Sequence, residues 1–173
     1  MRPHIKWLAR EFSFGLPAGM FPLVLERVRG TPARMEDRVG SLSREVLTRH
    51  AGDAWSIQEH VGHLLDLEPL GMGRLDDYAA GLEVLRGADI ENRKTHEAGH
   101  DSKSIDELLK SFRAERMEFV ERLESFDEEF ISRTALQPRL KQQLSVTDLT
   151  FFIAEHDDHH LAKMTELLRV FSI

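Results

Sequence analysis

Two histidines near the end of the chain have a spacing that suits a metal site. His156 and His160 are four residues apart, so on an α-helix their rings lie on the same face, with Cβ atoms about 5–6 Å apart. The apolar residues of this segment recur on that same face, which indicates that both histidines point toward the core. An inward imidazole needs a hydrogen bond or a metal, because burying an unpaired polar group costs about 1–3 kcal/mol. The pair therefore favours a shared metal ion over two separately hydrogen-bonded core histidines.

Four long amphipathic helices are predicted to position this pair. Apolar periodicity and capping residues place them at residues 16–29 with a kinked continuation over 31–39, 56–78 with a kink or break at Pro69, 104–126 and 145–171. Residues 82–104 are polar and poorly periodic, which indicates a long connection, and residues 128–143 read as irregular. These features predict an all-α four-helix bundle with at least one long crossover, in a single domain spanning residues 1–173.

A third ligand is expected from the helix that begins at Ser56, since facing helices build the metal sites of bundles. His60 and His63 are its two candidates. His60 lies nearer the centre of the apolar face, and His63 lies on its flank. Periodicity alone therefore slightly favours His60.

Several motifs also occur together in the order found in a known family. WSIQEHVGHLLDLE and AEHDDHHLAKM, with the intervening ENRKTHEAGH and QPRLK, resemble segments of the DinB/YfiT-like superfamily of metal-binding bacterial bundles. The resemblance covers most of the chain. It implies an up-down-down-up four-helix bundle, often dimeric, in which three histidines bind a divalent metal, commonly nickel or zinc.

Carried over by position, the resemblance implies that His63, His156 and His160 are the metal ligands, and it prefers His63 to His60. One residue departs from the pattern. Gln137 stands before the Pro-Arg-Leu stretch, where close relatives tend to have a histidine. Any contribution of that histidine to the surroundings of metal or substrate is therefore open for this chain.

Three neutral histidines leave coordination positions for water or substrate, which is typical of a catalytic rather than a closed structural site. Such a metal lowers the pKa of bound water toward about 7 or binds a sulfur or oxygen nucleophile. The resembled superfamily includes thiol-dependent transferases and isomerases. The resemblance therefore implies a metal-dependent transferase or hydrolase that acts on a small molecule, with a low-molecular-weight thiol as a candidate partner.

Two rival functions stay open at this point. One is a non-catalytic metal-binding or stress-associated module, which nothing in the sequence opposes. The other treats His156-Asp157-x-x-His160 as a variant of the zinc-protease motif His-Glu-x-x-His. We disfavour the protease because Asp is shorter than Glu and no strand is visible that would hold a peptide.

Nearby carboxylates could support the chemistry. Asp157 is the candidate catalytic base or orienting residue, and Glu59 or Asp66 could hold His63 through its second nitrogen. Simpler roles are available for these residues, because Glu59 has the spacing of a helix cap with Ser56, and Asp66, like Asp158, could face solvent.

Composition argues against several classes of protein. The chain has no cysteine, which excludes a disulfide framework, a thiolate zinc site and a cysteine nucleophile. A formal net charge of −7 with mixed signs disfavours binding to phosphate backbones, so we expect no nucleic-acid partner. Charges interrupt the N-terminal segment, and no apolar stretch suits a signal peptide or a membrane span. We therefore expect a cytoplasmic protein with no membrane partner.

An aromatic N-terminal arm predicts a homodimer, because clustered aromatics often mark a contact surface. These aromatics are Trp7, Phe12, Phe14 and Phe21. The alternative is that the arm packs on its own bundle. The remaining histidines are expected to be solvated, although His96 or His100 would approach the site if the long connection folds over it; they are His4, His50, His96, His100 and His159.

Overall fold

The computed structural model describes residues 5–173. Its helices are α1 (Phe21–Arg29), α2 (Thr31–Val39), α3 (Arg44–Leu47), α4 (Ile57–Ala79), α5 (Arg93–Glu97), α6 (Ile105–Glu124), α7 (Glu128–Ile131) and α8 (Val146–Val170). The segment α1–α2 and the helices α4, α6 and α8 form the bundle, and their contacts run in the cyclic order α1, α8, α4, α6. The predicted four-helix bundle is confirmed, and the long stretch between α4 and α6 is its crossover connection.

Local sequence signals explain where α4 and α8 begin. The Ser56 hydroxyl accepts a hydrogen bond from the Glu59 N–H, and the Glu59 carboxylate accepts one from the Ser56 N–H, so the predicted capping box is present. Ser145 and Asp148 make the same reciprocal pair at the start of α8. Helix α4 runs through Pro69 without a break.

The first helix begins later than predicted. Residues Ala18–Met20 form a 3-10 turn, and α1 begins at Phe21 with Pro22 in its first turn. Proline has no N–H to donate and clashes with the preceding turn, so it is tolerated in the first turn of a helix and not in its interior. A helix that began at Leu16 would have placed Pro22 in the interior.

The prediction of an irregular segment without strands was wrong for residues 128–143. This segment contains α7 and the first strand of an antiparallel hairpin, β1 (Thr134–Gln137) and β2 (Gln142–Ser145), in which Thr134 pairs with Ser145. Leu136 also forms a bridge to Val84 in the crossover connection. Strands of four residues are too short for their alternation to stand out in the sequence.

A buried polar layer divides the apolar core into two clusters. One cluster surrounds Phe119 and Leu149, and the other surrounds Phe112 and Met164. Between them each helical segment contributes one buried polar residue, and these residues are Thr31, Glu68, Arg116 and Asp157. None of the helices in the described range is both long and apolar enough to cross a membrane.

Candidate metal centre

Helices α4 and α8 bring the three predicted ligands together. Ring nitrogens of His63, His156 and His160 all lie within 4.8 Å of one another, and the Nε2 atoms of His156 and His160 are 3.1 Å apart. Two nitrogens bound to one zinc-like ion at 2.0–2.1 Å lie about 3.4 Å apart in tetrahedral geometry. Small side-chain rotations would therefore close the three rings on one ion.

The outer nitrogens of two ligands are already bonded, which leaves their Nε2 atoms for a metal. His63 Nδ1 lies 3.0 Å from Thr95 Oγ1, and His160 Nδ1 lies 2.8 Å from His60 Nδ1. A histidine that ligates a metal normally donates its other N–H in this way, which fixes the tautomer and the ring orientation. This donor set fits a divalent ion of the zinc or nickel type.

His60 lies behind the three candidate ligands, where it supports His160. It is buried, as its place on the apolar face of α4 indicated. For His160 to ligate through Nε2, its Nδ1 must carry the proton, and His60 Nδ1 then accepts that hydrogen bond. His63, from the flank of α4, is the histidine of this helix that has a ring nitrogen within 4.8 Å of nitrogens of both His156 and His160.

The crossover connection contributes a residue, Thr95, that orients His63 and that the sequence analysis did not identify. Thr95, from α5, accepts a hydrogen bond from His63 and donates one to Asp66 Oδ2 over 3.0 Å. Asp66 therefore acts on His63 through Thr95 and not directly as predicted. A single threonine in a polar stretch without periodicity carries no signal that could have identified this role.

The expectation that His100 is solvated was wrong. His100 is only 2% exposed, and its Nε2 lies 2.8 Å from Asp66 Oδ2. Its ring packs on the backbone of Gly62, where any side chain would clash with it. The connection folds over α4, and the glycine lets it approach.

Most of the other candidate residues take part in contacts that stabilise the fold. Glu59 caps α4. Asp158 forms ion pairs with Arg27 and Arg34 at 2.5 and 2.6 Å, so it is not merely solvated. His50 and His96 are exposed as expected, and His4 lies outside the described residues.

Asp157 belongs to the buried polar layer. Its Oδ2 accepts hydrogen bonds from Arg116 Nη1 at 2.5 Å and from the Thr31 hydroxyl at 2.7 Å. Arg116 also binds Glu68, with Nη2 2.6 Å from Oε1. Burial acts to lower the pKa of Arg116, but the two carboxylates outweigh it and raise that pKa, so the guanidinium stays charged.

An apolar cavity of about 420 Å³ opens beside the three histidines. Trp7 and Trp55 flank the histidines from two sides, with ring centroids 4.8 Å from His156 and 4.8 Å from His63, respectively. Trp7 also packs on Phe12 and Phe152. The N-terminal arm therefore packs on its own bundle, which was the alternative to a dimer contact.

Four histidines of the site, His60, His63, His156 and His160, are neutral at neutral pH. Burial lowers the pKa of His60 to about 3 and that of His63 to about 4, with Asp66 partly opposing the shift of His63. Burial also holds the pKa values of His156 and His160 well below the ordinary value. Neutral imidazole is the form that ligates a metal.

These shifts predict that the metal-free protein loses stability in acid. Between an unfolded pKa of about 6.5 and the lower folded value, the unfolded chain binds more protons than the folded one, so the free energy of unfolding falls as pH falls. The slope is up to about 1.4 kcal/mol per pH unit for each histidine. We expect urea unfolding of chelator-treated protein to show this decline between pH 6.5 and 5.

The variant His60→Gln isolates one histidine in that experiment. Glu68, whose pKa is raised by burial, changes stability in the opposite direction, so the total slope combines several groups. The difference between wild type and His60→Gln removes this background. A slope unchanged by the substitution would contradict the prediction.

Sequence comparison assigns the family. The sequence profile of the DinB superfamily matches residues 27–164. The chain belongs to the DinB superfamily. The resemblance seen in the sequence motifs is thereby confirmed, while no functionally curated protein matches the chain.

Solved structures share the bundle at low sequence identity. YfiT from Bacillus subtilis, described as a probable metal-dependent hydrolase with an unusual four-helix bundle topology, has a TM-score of 0.76 and 16% identity over 94% of both chains. A mycothiol-dependent maleylpyruvate isomerase has a TM-score of 0.68 and 12% identity, over 88% of this chain and 63% of the isomerase. These likenesses show that the chain shares its fold with both structures.

A third similar structure is the colibactin self-resistance protein ClbS in complex with double-stranded DNA. It has a TM-score of 0.64 and 14% identity, over 84% of this chain and 94% of ClbS. The fold therefore does not by itself exclude nucleic acid as a partner. The absence of a nucleic-acid partner stays a prediction that depends on the acidic composition.

Proposed function

We propose that this DinB-superfamily chain is a divalent-metal-dependent enzyme, of the thiol-dependent transferase or hydrolase type, that acts on a small molecule. The observation that carries the proposal is the convergence of His63, His156 and His160 on a cavity of about 420 Å³. Cavities of this size hold small-molecule ligands. Three protein ligands also leave coordination positions for a substrate or water.

Each part of the site has a task in this proposal. His63, His156 and His160 would hold nickel or zinc, and a bound ion would act as a Lewis acid that lowers the pKa of a coordinating water or thiol. Thr95 and His60 orient two of the ligand rings through their outer nitrogens. Trp7, Trp55 and the apolar lining would reduce the contact of a bound substrate with bulk water.

The described activities of similar proteins support a metal- or thiol-dependent reaction, but they differ from one another and so do not single out one reaction. One is described as a probable metal-dependent hydrolase and another as a mycothiol-dependent isomerase. A low-molecular-weight thiol is therefore a reasonable partner to test, together with an electrophilic small molecule. Homodimer formation and a cytoplasmic location stay predictions, and the contacts of the aromatic arm with its own bundle remove the main sequence argument for the dimer.

The predicted base role of Asp157 also stays a prediction. Its carboxylate is 1% exposed, and it accepts hydrogen bonds from Arg116 and Thr31. These contacts support a positioning role, in which Asp157 fixes the helix turn that carries His156. A role as base would require Arg116 to release the carboxylate.

Metal content tests the proposal first. We expect elemental analysis of the purified chain to find about one divalent ion per chain, removable by a chelator or by acid, since protonated histidine cannot ligate. Titration of the metal-free chain with nickel and with zinc should restore it. Absence of metal as purified, together with no binding of either ion, would refute the proposal.

Turnover separates the enzyme from a non-catalytic metal-binding module. The metal-loaded chain would be assayed with a low-molecular-weight thiol and a panel of electrophiles, and with small ester and amide substrates. We expect conversion that depends on the ion and is lost in His156→Ala. Stoichiometric metal binding without conversion of any of these substrates would favour the non-catalytic module.

A further inference from the structure

Two arginines with unpaired nitrogen atoms line the cavity that contains the three histidines. Arg74 comes from α4 and is 4% exposed, and Arg139 comes from the turn between β1 and β2. The Nη2 atom of each is buried and has no hydrogen-bond partner among the described residues. Buried guanidinium nitrogens are normally bonded, so these two require an explanation.

The natural partner of Arg74 is occupied by another arginine. Asp77 lies one turn further along α4, and Arg86 binds both of its oxygens, with Nη2 2.7 Å from Oδ1 and the backbone N–H 2.8 Å from Oδ2. The Arg86 carbonyl in turn accepts a hydrogen bond from Arg74 Nε over 3.2 Å. Arg86 therefore holds Arg74 in place while it takes the carboxylate that could have neutralised it.

The carboxylates that line the cavity itself are also engaged. Glu68 and Asp157 both bind Arg116, and Asp89 accepts hydrogen bonds from two backbone N–H groups. Every carboxylate in the lining thus has partners other than Arg74 and Arg139. The two guanidinium groups therefore keep buried nitrogen atoms that no carboxylate of the lining binds.

The turn that carries Arg139 is held in a defined conformation. The Gln137 side-chain oxygen accepts a hydrogen bond from the Leu140 N–H over 2.7 Å, and the Lys141 N–H donates to the Gln137 carbonyl. The Arg139 guanidinium carbon lies 5.6 Å from the ring centre of Phe152. Gln137 therefore fixes the turn that presents Arg139.

This arrangement costs stability in the absence of an anion. Burial lowers the pKa of Arg74; Tyr78 and Asp77 partly oppose that shift, and the charge of Arg139 adds to it. Burial also lowers the pKa of Arg139. A guanidinium remains protonated in proteins, so the penalty is not relieved by loss of a proton. Burying an unpaired charge is unfavourable, and a bound anion would reverse that cost.

We propose that Arg74 and Arg139 form an anion subsite that binds the carboxylate of a small organic molecule in this cavity. The planar fork of a guanidinium matches the two oxygens of a carboxylate, and the apolar lining suits the remainder of such a molecule. This proposal rests on the proposed function only in treating the cavity as the substrate site. It assigns the substrate class: small organic carboxylates.

The test compares benzoate with benzamide, which have similar shapes and differ in charge. Calorimetric titration is carried out on the full-length, metal-free chain, so the result is independent of whether the histidines bind an ion. We expect benzoate to bind at least tenfold more tightly than benzamide. Equal affinities would overturn the proposal, and tighter binding of inorganic phosphate than of benzoate would overturn the assignment to carboxylates.

Single substitutions locate the subsite. Arg139→Met and Arg74→Met should each lower the affinity for benzoate at least tenfold. Arg133→Met is the matched control, because Arg133 is an exposed arginine near the start of the same hairpin, and it should leave the affinity unchanged. Loss of benzoate affinity in the control, or its retention in both cavity variants, would contradict the proposal.

Thermal unfolding separates a binding role from a structural one. Without ligand, Arg139→Met should unfold at the same temperature as wild type or higher, since it removes an unpaired charge. A lower unfolding temperature combined with unchanged benzoate affinity would show that Arg139 is structural and would overturn the proposal. If Arg74→Met does not fold, Arg139→Met decides the question. The Arg139 side chain is less deeply buried than that of Arg74, so its replacement disturbs the fold less.

Discussion

Replacing His63, His156 or His160 with alanine is expected to weaken metal binding by at least about 100-fold, because loss of a residue that only supports a ligand already costs about 10- to 100-fold. Each substitution removes one of three nitrogens that lie within 4.8 Å of one another. Titration of the metal-free variants with nickel and zinc, followed by calorimetry or competition with a chelator, measures the loss.

Two further substitutions serve as controls for the ligand set. His159→Ala should leave the affinity nearly unchanged, because His159 is not among the converging nitrogens. His60→Ala should cause an intermediate loss, since His60 bonds the outer nitrogen of His160 and is not among the converging nitrogens. Abolished binding in His60→Ala together with retained binding in His63→Ala would show that His60 is the third ligand.

Arg116→Leu is expected to destabilise the metal-free chain by about 3–5 kcal/mol, because it leaves the Glu68 and Asp157 carboxylates buried without their counter-charge. For a chain of this length the loss corresponds to a fall in unfolding temperature of about 6–20 °C. Urea unfolding at neutral pH, in the presence of a chelator, measures the free energy directly.

Arg113→Leu is the matched control on the same helix. Arg113 also binds a glutamate, Glu36, at 2.5 Å, but both side chains are partly exposed. Exposed pairs contribute about 0–1 kcal/mol. Equal effects of the two substitutions would show that the buried layer contributes no more than a surface pair.

The bundle and the convergence of the candidate ligands could be predicted from strong local signals in the sequence. The capping pair of Ser56 and Glu59 and the apolar stripes fix the long helices. Once the segment is helical, the four-residue spacing of His156 and His160 places both on one face, independently of the tertiary contacts. The choice of His63 over His60 required the resemblance, because the periodicity of one helix does not show which flank faces its neighbour.

The rest could not be predicted because it depends on tertiary contacts. Thr95 reaches His63 only when the crossover connection folds over α4. Arg74 is unpaired only because Arg86 takes Asp77, and Arg139 enters the cavity only because of a hairpin too short to be recognised. Asp157 was predicted to be a catalytic base because it adjoins His156 in the sequence. In the structure its carboxylate accepts a hydrogen bond from Arg116, which lies on another helix and could not be identified from the sequence.

Asp157 lies between the two histidines of α8. Its ion pair with Arg116 bears on whether the chain needs a bound ion in order to fold. The ion pair with Arg116 ties this turn of α8 to α6, and this contact needs no ion. In small zinc domains, by contrast, binding of the ion supplies the folding free energy. Under the proposed function we therefore expect the metal-free chain to stay folded and to exchange its ion without unfolding, so that the supply of ions in the cell would decide which metal occupies the site.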